Sequence, residues 1–210
     1  MNQKYWTFTL ALYLIIGCST LGNVSTNDGR TSAIEKAQHY VNLGKSLAQR
    51  RDFNNAKINF LKAAELDPSD YENWGLAGMA AKENSQFDEA IRYFQKAIEV
   101  KPSDYKAYGQ IGLVSMKQRK YEAAISAFKA VLSLNRTDLE AAARLAEIYY
   151  DNGDYVLCEQ NMARFEENLS KKNVSLLSDQ TKKAIEKTLN AFVNYRVVIN
   201  RLLKKASFAA

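Results

Sequence analysis

The sequence predicts an all-α protein, a superhelical solenoid of about four helix–turn–helix repeats closed by a C-terminal capping helix. Three observations predict it. The first is composition: 210 residues include only 9 Gly and 2 Pro, too few for the turns of a β-sandwich or barrel. The 47% hydrophobic and 25% charged residues also exclude a disordered or collagen-like chain. The second is a period: like residues recur every 34 positions in the segments 37–70, 71–104, 105–138 and 139–172. The third is a segment beyond them, from about 178 to 206, whose apolar residues follow helical spacing.

The N-terminus reads as an address. Lys4 precedes an apolar run from Tyr5 to Ile16. As a helix this run spans about 18 Å, short of the ~30 Å hydrocarbon core of a bilayer but suited to the apolar region of a signal peptide. It ends in Ile15-Ile16-Gly17-Cys18-Ser19. That ending resembles the lipobox of bacterial lipoproteins, with an aliphatic residue at −3, a small one at −1 and then cysteine. The resemblance implies that residues 1–17 are removed and that the Cys18 thiol carries diacylglycerol. The lipid on Cys18 is then the only covalent group expected, with no other cofactor. Two or three acyl chains, at about 0.8 kcal/mol per buried CH₂, hold a protein on a membrane almost permanently. Ser19 in place of Asp implies the outer membrane, facing the periplasm. Two alternatives stay open: an uncleaved anchor, because no charge lies between Tyr5 and Asn27, and plain secretion after Gly22. Residues 18–31 are small and polar and read as a flexible tether. Ser32, with Glu35 three positions on, is placed to open the first helix with a capping box.

Within the period the same slots hold the same kinds of residue. Slot four holds Tyr40, Trp74, Tyr108 and Ala142; slot eight holds Gly44, Gly78, Gly112 and Ala146. Slot twenty holds Ala56, Ala90, Ala124 and Cys158, and slot twenty-four holds Phe60, Phe94, Phe128 and Met162. Slot thirty-two holds Pro68, Pro102, Arg136 and Ser170. The spacing predicts two helices per repeat, A and B. Small residues at slots eight and twenty let A and B approach, and the aromatic at slot twenty-four fills the space beside them. A proline at slot thirty-two stops helix B, and Asp70, Asp104 and Asp138 are placed to cap the helix that follows. Cys158 falls in a slot that wants a small buried residue, so it is expected to pack rather than react.

These positions resemble the tetratricopeptide repeat. Repeats one to three match strongly, and repeat four is degraded, as expected where a stack ends. The resemblance implies that the A helices line a concave groove for a peptide or amphipathic helix of another protein. Its floor and flanks are expected from Val41, Lys45, Gly75, Met79, Gly109, Leu113, Met116, Ala143 and Tyr150. Gly75 and Gly109 each sit mid-helix after an aromatic, where Gly costs about 1 kcal/mol relative to Ala. Either a partner approaches that backbone closely, or neighbouring A helices need the room. Chaperone-binding members of the family hold a C-terminal carboxylate with Lys and Asn at the slots that Val41 and Lys45 occupy here, and that departure argues against such a partner.

The C-terminal segment, 173–210, reads as a basic amphipathic helix. Ile185, Leu189, Phe192, Tyr195, Ile199, Leu202 and Leu203 fall on one side, placed to cover the end of repeat four. Lys182, Lys183, Lys187, Arg201, Lys204 and Lys205 collect opposite, with Arg196 at the edge. Residues 171–210 hold nine Lys/Arg against Asp179 and Glu186, a charge of +7, whereas residues 1–170 sum to −1 from 20 basic and 21 acidic residues. That basic side is either a solvated face or a surface for anionic lipid or an acidic partner. Nucleic acid is not an expected partner for an exported chain.

Catalytic equipment is sparse. One histidine (His39, in the first A helix) and two cysteines leave no metal-ligand cluster, and no Gly-x-Gly-x-x-Gly, Walker, Gly-x-Ser-x-Gly or Cys-x-x-Cys motif occurs. The expected function is therefore not an enzyme's. It is a membrane-anchored scaffold for another envelope protein. Lipoproteins of this build include pilotins that help type IV pilus secretins assemble, the reading favoured here, and adaptors for peptidoglycan hydrolases. A lipoprotein that carries a small apolar ligand to a transporter is the alternative.

Overall fold

A computed structural model describes residues 29–209 in backbone and residues 29–202 in side chain. The expected signal peptide, Cys18 and most of the expected tether lie outside the described residues. Helix α1 covers 29–49, and α2 (Phe53–Leu66), α3 (Tyr71–Glu83) and α4 (Phe87–Val100) follow it. Next come α5 (Tyr105–Lys117), α6 (Tyr121–Leu134), α7 (Leu139–Asp151) and α8 (Tyr155–Ser170). A 3₁₀ turn at Val174–Leu176 leads into α9 (Asp179–Ala209). No strand occurs among the described residues. The pairs α1–α2, α3–α4, α5–α6 and α7–α8 are the A and B helices of the four repeats. One boundary is corrected: α1 is already helical at 29, so Ser32 lies inside it and does not cap it. No proline or other hard stop separates 29 from 32, so the helix extends through them.

The turns follow the period as closely as the helices do. Each A-to-B turn places slot fifteen at positive φ: Arg51 at 63°, Ser85 at 59°, Arg119 at 59° and Gly153 at 80°. Each B-to-A turn ends in an aspartate cap. The carboxylate of Asp70 accepts from Glu72 N–H at 2.9 Å, that of Asp104 from Lys106 N–H at 3.2 Å, and that of Asp138 from Ala141 N–H at 2.9 Å. These bonds satisfy amides that the first helical turn leaves without partners.

The chain divides into two compact units, the first running to Lys101 and the second from Pro102. In the first, the rings of Phe60 and Phe94 lie against Gly44 and Gly78. A Cβ on Gly44 would stand 2.6 Å from the Phe60 ring, and one on Gly78 2.7 Å from the Phe94 ring. Glycine at slot eight is thus a steric requirement of the aromatic at slot twenty-four. Buried Lys57 on α2 binds Glu89 Oε2 at 2.7 Å and Gln86 Oε1 at 2.8 Å, which ties the B helices of the first two repeats together.

In the second unit Gly112 and Phe128 repeat the arrangement, at 2.7 Å. Repeat four replaces both partners: Ala146 and Met162 are fully buried in one cluster with Leu145, Ile148 and Phe165. Alanine takes part of the space, and the unbranched methionine adapts to what remains. Cys158 is fully buried and free, as its slot predicts. Burial first, and the neighbouring Glu159 carboxylate second, push its thiol up to about 11, so it stays protonated and inert near neutrality.

Helix α9 caps repeat four. Phe192 is buried with its ring edge-on to Phe165, the centroids 5.3 Å apart. Tyr195 stacks on Tyr150 at 3.9 Å and 17°. Arg196, expected at the edge of the basic side, points inward instead. It forks onto both Glu166 oxygens at 2.8 and 3.1 Å and reaches Glu159 at 3.3 Å. Bidentate pairs of this kind fix geometry as well as adding energy.

Candidate protein-binding faces

The residues expected to line a groove fall on α1 and α3 in the first unit and on α5 and α7 in the second. In the first unit Lys45 and Met79 are exposed, Met79 at 38%. Gly75 is half-exposed, and a Cβ built on it meets nothing within 4 Å. Val41 corrects the expectation that it forms a floor. It is only 6% exposed and packs in a core cluster with Ala37, Ala63, Leu66 and Leu76. An isopropyl group between helices of adjoining repeats gains more from burial than from facing solvent.

In the second unit Leu113 and Met116 are half-buried and pack against the core below them. A Cβ on Gly109 would meet only Val131 Cγ2, at an ordinary 3.8 Å. Among the described residues nothing packs closely enough to require either glycine, unlike those at slot eight. At both positions the backbone has room for a methyl group.

At α7 the outcome differs. Tyr150 is not an open groove residue, because the Tyr195 ring covers it. Ala143 lines a cleft of about 750 Å³ between α7 and the first half of α9. Its walls include Leu139, Phe165, Ala184 and Ala191, with Glu140 and Lys187 among its polar rim. Sequence reasoning missed this cleft. Its signal was the series Thr181, Ala184, Thr188 and Ala191, small residues at helical spacing beside an apolar stripe that begins only at Ile185.

The cleft's α7 side is acidic. Arg144 is bonded to Glu147 at 3.0 Å and lies 3.7 Å from Glu140, so one cation sits between two carboxylates. Burial first and Glu147 second push Asp151 up. Burial, then Glu147 and Asp151, push the Tyr195 phenol up as well. His39 is exposed, edge-on to Tyr40 at 5.9 Å. Among the described residues no group of three or more His, Cys, Asp or Glu is placed to hold a metal ion.

Hairpins of fixed length, with glycine-seated aromatics, aspartate caps and accessible A-helix faces, define an α-helical repeat scaffold. The tetratricopeptide-repeat profiles match residues 41–105, 76–132 and 115–160, more than half of the chain in all. The chain belongs to the tetratricopeptide-repeat family, whose arrays are protein-interaction scaffolds.

Solved structures agree on the fold. MamA is 24% identical and covers 70% of this chain and 80% of its own, with a TM-score of 0.57. YrrB, described as having an unusual peptide-binding site, is 24% identical over 66% of this chain and 74% of its own, with a TM-score of 0.55. The first such domain of Spaghetti, bound to an HSP90 peptide, is 22% identical over 57% of this chain and 95% of its own, with a TM-score of 0.54. No curated protein matches the chain.

Proposed function

We propose that this protein is a lipid-anchored adaptor of a bacterial cell envelope, and that its A-helix faces bind a peptide or helix of another envelope protein. The open backbone at Gly75 carries the binding part of the reading. A mid-helix glycine costs about 1 kcal/mol relative to Ala, and among the described residues no atom lies close enough to require it. A partner whose backbone or side chain seats there does require it. YrrB, described as having a peptide-binding site, and the Spaghetti domain, bound to a peptide, support a peptide as the class of ligand.

The anchor rests on the Ile15–Ser19 pattern and Cys18. Its outer-membrane, periplasm-facing address rests on Ser19. A pilus secretin is the first partner to test, since pilotins share the small size and the repeat-dominated build. A peptidoglycan hydrolase is the second.

Affinity capture from solubilised envelopes tests the binding reading. A specific membrane protein is recovered with the wild type and lost with Gly75→Trp, while helicity and melting are unchanged. Equal recovery by the variant removes the reading. Cys18→Ser tests the anchor: palmitate labelling and membrane retention are both lost, whereas retention without label excludes lipidation.

A second reading has its own observation. The α7–α9 cleft, at about 750 Å³, is of the size that small-molecule sites occupy and has an apolar floor. An apolar ligand extracted from the purified protein, and absent from Ala143→Trp, favours a carrier over an adaptor.

A further inference from the structure

The outer side of α9 combines two features that a merely solvated face does not need together. Its inner side is docked through Phe192, Tyr195 and Arg196, and among the described residues no helix covers the other side. There Val197 is 52% exposed, and Val193, beside it at a four-residue step, is 58% exposed, with Val198 also exposed. Residues 183, 187, 190, 194, 197 and 201 follow one another at three- and four-residue steps, so they form a single ridge. Exposed Lys183 stands at one end of that ridge and exposed Arg201 at the other, with exposed Lys187 where the ridge meets the rim of the α7–α9 cleft. Arg196 is used inward and Lys182 leans towards Asp179 at 3.5 Å, so among residues described in side chain the ridge presents Lys183, Lys187 and Arg201. The segment they belong to carries +7, against −1 for the rest of the chain.

Solvation alone is satisfied by lysine and asparagine, and exposed valines add neither solubility nor helix propensity. An acidic protein surface would satisfy the cations and leave the valines in contact with charge. An anionic bilayer satisfies both, because headgroup phosphates meet Lys and Arg while the acyl boundary accepts small apolar side chains between them.

We propose that the outer ridge of α9 docks along an anionic membrane surface, with Lys183, Lys187 and Arg201 among lipid phosphates and Val193 and Val197 at the acyl boundary. This contact is independent of Cys18. It gives the second unit its own hold on the membrane.

The test uses the full chain carrying Cys18→Ser, sedimented with vesicles of phosphatidylcholine alone or of equal parts phosphatidylcholine and phosphatidylglycerol. The apolar run from Tyr5 to Ile16 is present throughout and contributes to both vesicle types, so the readout is the excess binding to the anionic vesicles. That excess falls roughly tenfold or more in Lys183→Glu/Lys187→Glu/Arg201→Glu and falls with raised salt. It also falls in Val193→Asp/Val197→Asp. Both variants change only exposed positions and keep the wild-type helicity and melting. Absence of an excess, or an excess that survives either variant, overturns the proposal. So does charge-dependent binding to polyglutamate with none to the vesicles, which assigns the ridge to an acidic protein.

Discussion

Arg51, Ser85 and Arg119 hold a left-handed backbone that L-residues adopt at a cost of about 1–2 kcal/mol, while Gly153 occupies the equivalent place freely. Arg119→Gly is therefore expected to stabilise the protein by about 1 kcal/mol, and Gly153→Ala to destabilise it by a similar amount, both read from urea denaturation. The turn was legible from the period, but its strained residue was not, because only one of the four slots carries glycine. Cys158 is legible at both levels: its slot predicts packing, and burial keeps the thiol protonated. A thiol reagent at mildly alkaline pH is expected to leave it unmodified until denaturant is added. Asp151 gives a pH dependence. Its folded pKa is raised, so the folded state holds the proton more tightly than the unfolded chain does. Stability is therefore lost as pH rises from the ordinary carboxylate range through the raised value. Asp151→Asn should melt higher than wild type at neutral pH, and the two should converge in acid below that range.

Helices in this array are specified by their ends and by one ring each. Asp104→Ala removes the cap of α5 and is expected to cost about 1 kcal/mol in thermal or urea unfolding. Glycine at slot eight and phenylalanine at slot twenty-four were both visible in the sequence, and the structure supplies the distance that couples them. Gly78→Ala gains helix propensity yet drives a methyl group to 2.7 Å from the Phe94 ring, so a net loss is expected. Adding Phe94→Met should recover part of that loss, which a double-mutant cycle measures. The docking of α9 was legible only as a stripe. Phe192 and Ile199 are in the core as that stripe predicts, but Arg196 is not a free basic residue. Its partners Glu159 and Glu166 lie 37 and 30 residues away, where no local pattern reaches. The covering of Tyr150 by Tyr195 escaped for the same reason, and Val41 was buried by neighbours, Leu66 and Leu76, that helix periodicity does not bring into view.

At the scale of the whole molecule, repeat arrays hold together through nearest neighbours. Removing residues 173–210 should strip amide-exchange protection from α7 and α8, whose cluster contains Phe192 and Ile199, while α3 and α4 keep theirs. Equal loss everywhere would mean that the array unfolds as one cooperative block. The accessible A-helix faces were only partly readable in advance, since exposure depends on what the rest of the chain covers, whereas the 34-residue frame was complete in the sequence. The seating of a ring on bare backbone also bears on how such a frame drifts over generations. The two slots form one inheritable pair, in which altering either alone is harmful until its mate follows. Ala146 with Met162 in repeat four shows that a second matched pair fits the same two slots, so a change at one is expected to be tolerated best with a matching change at the other.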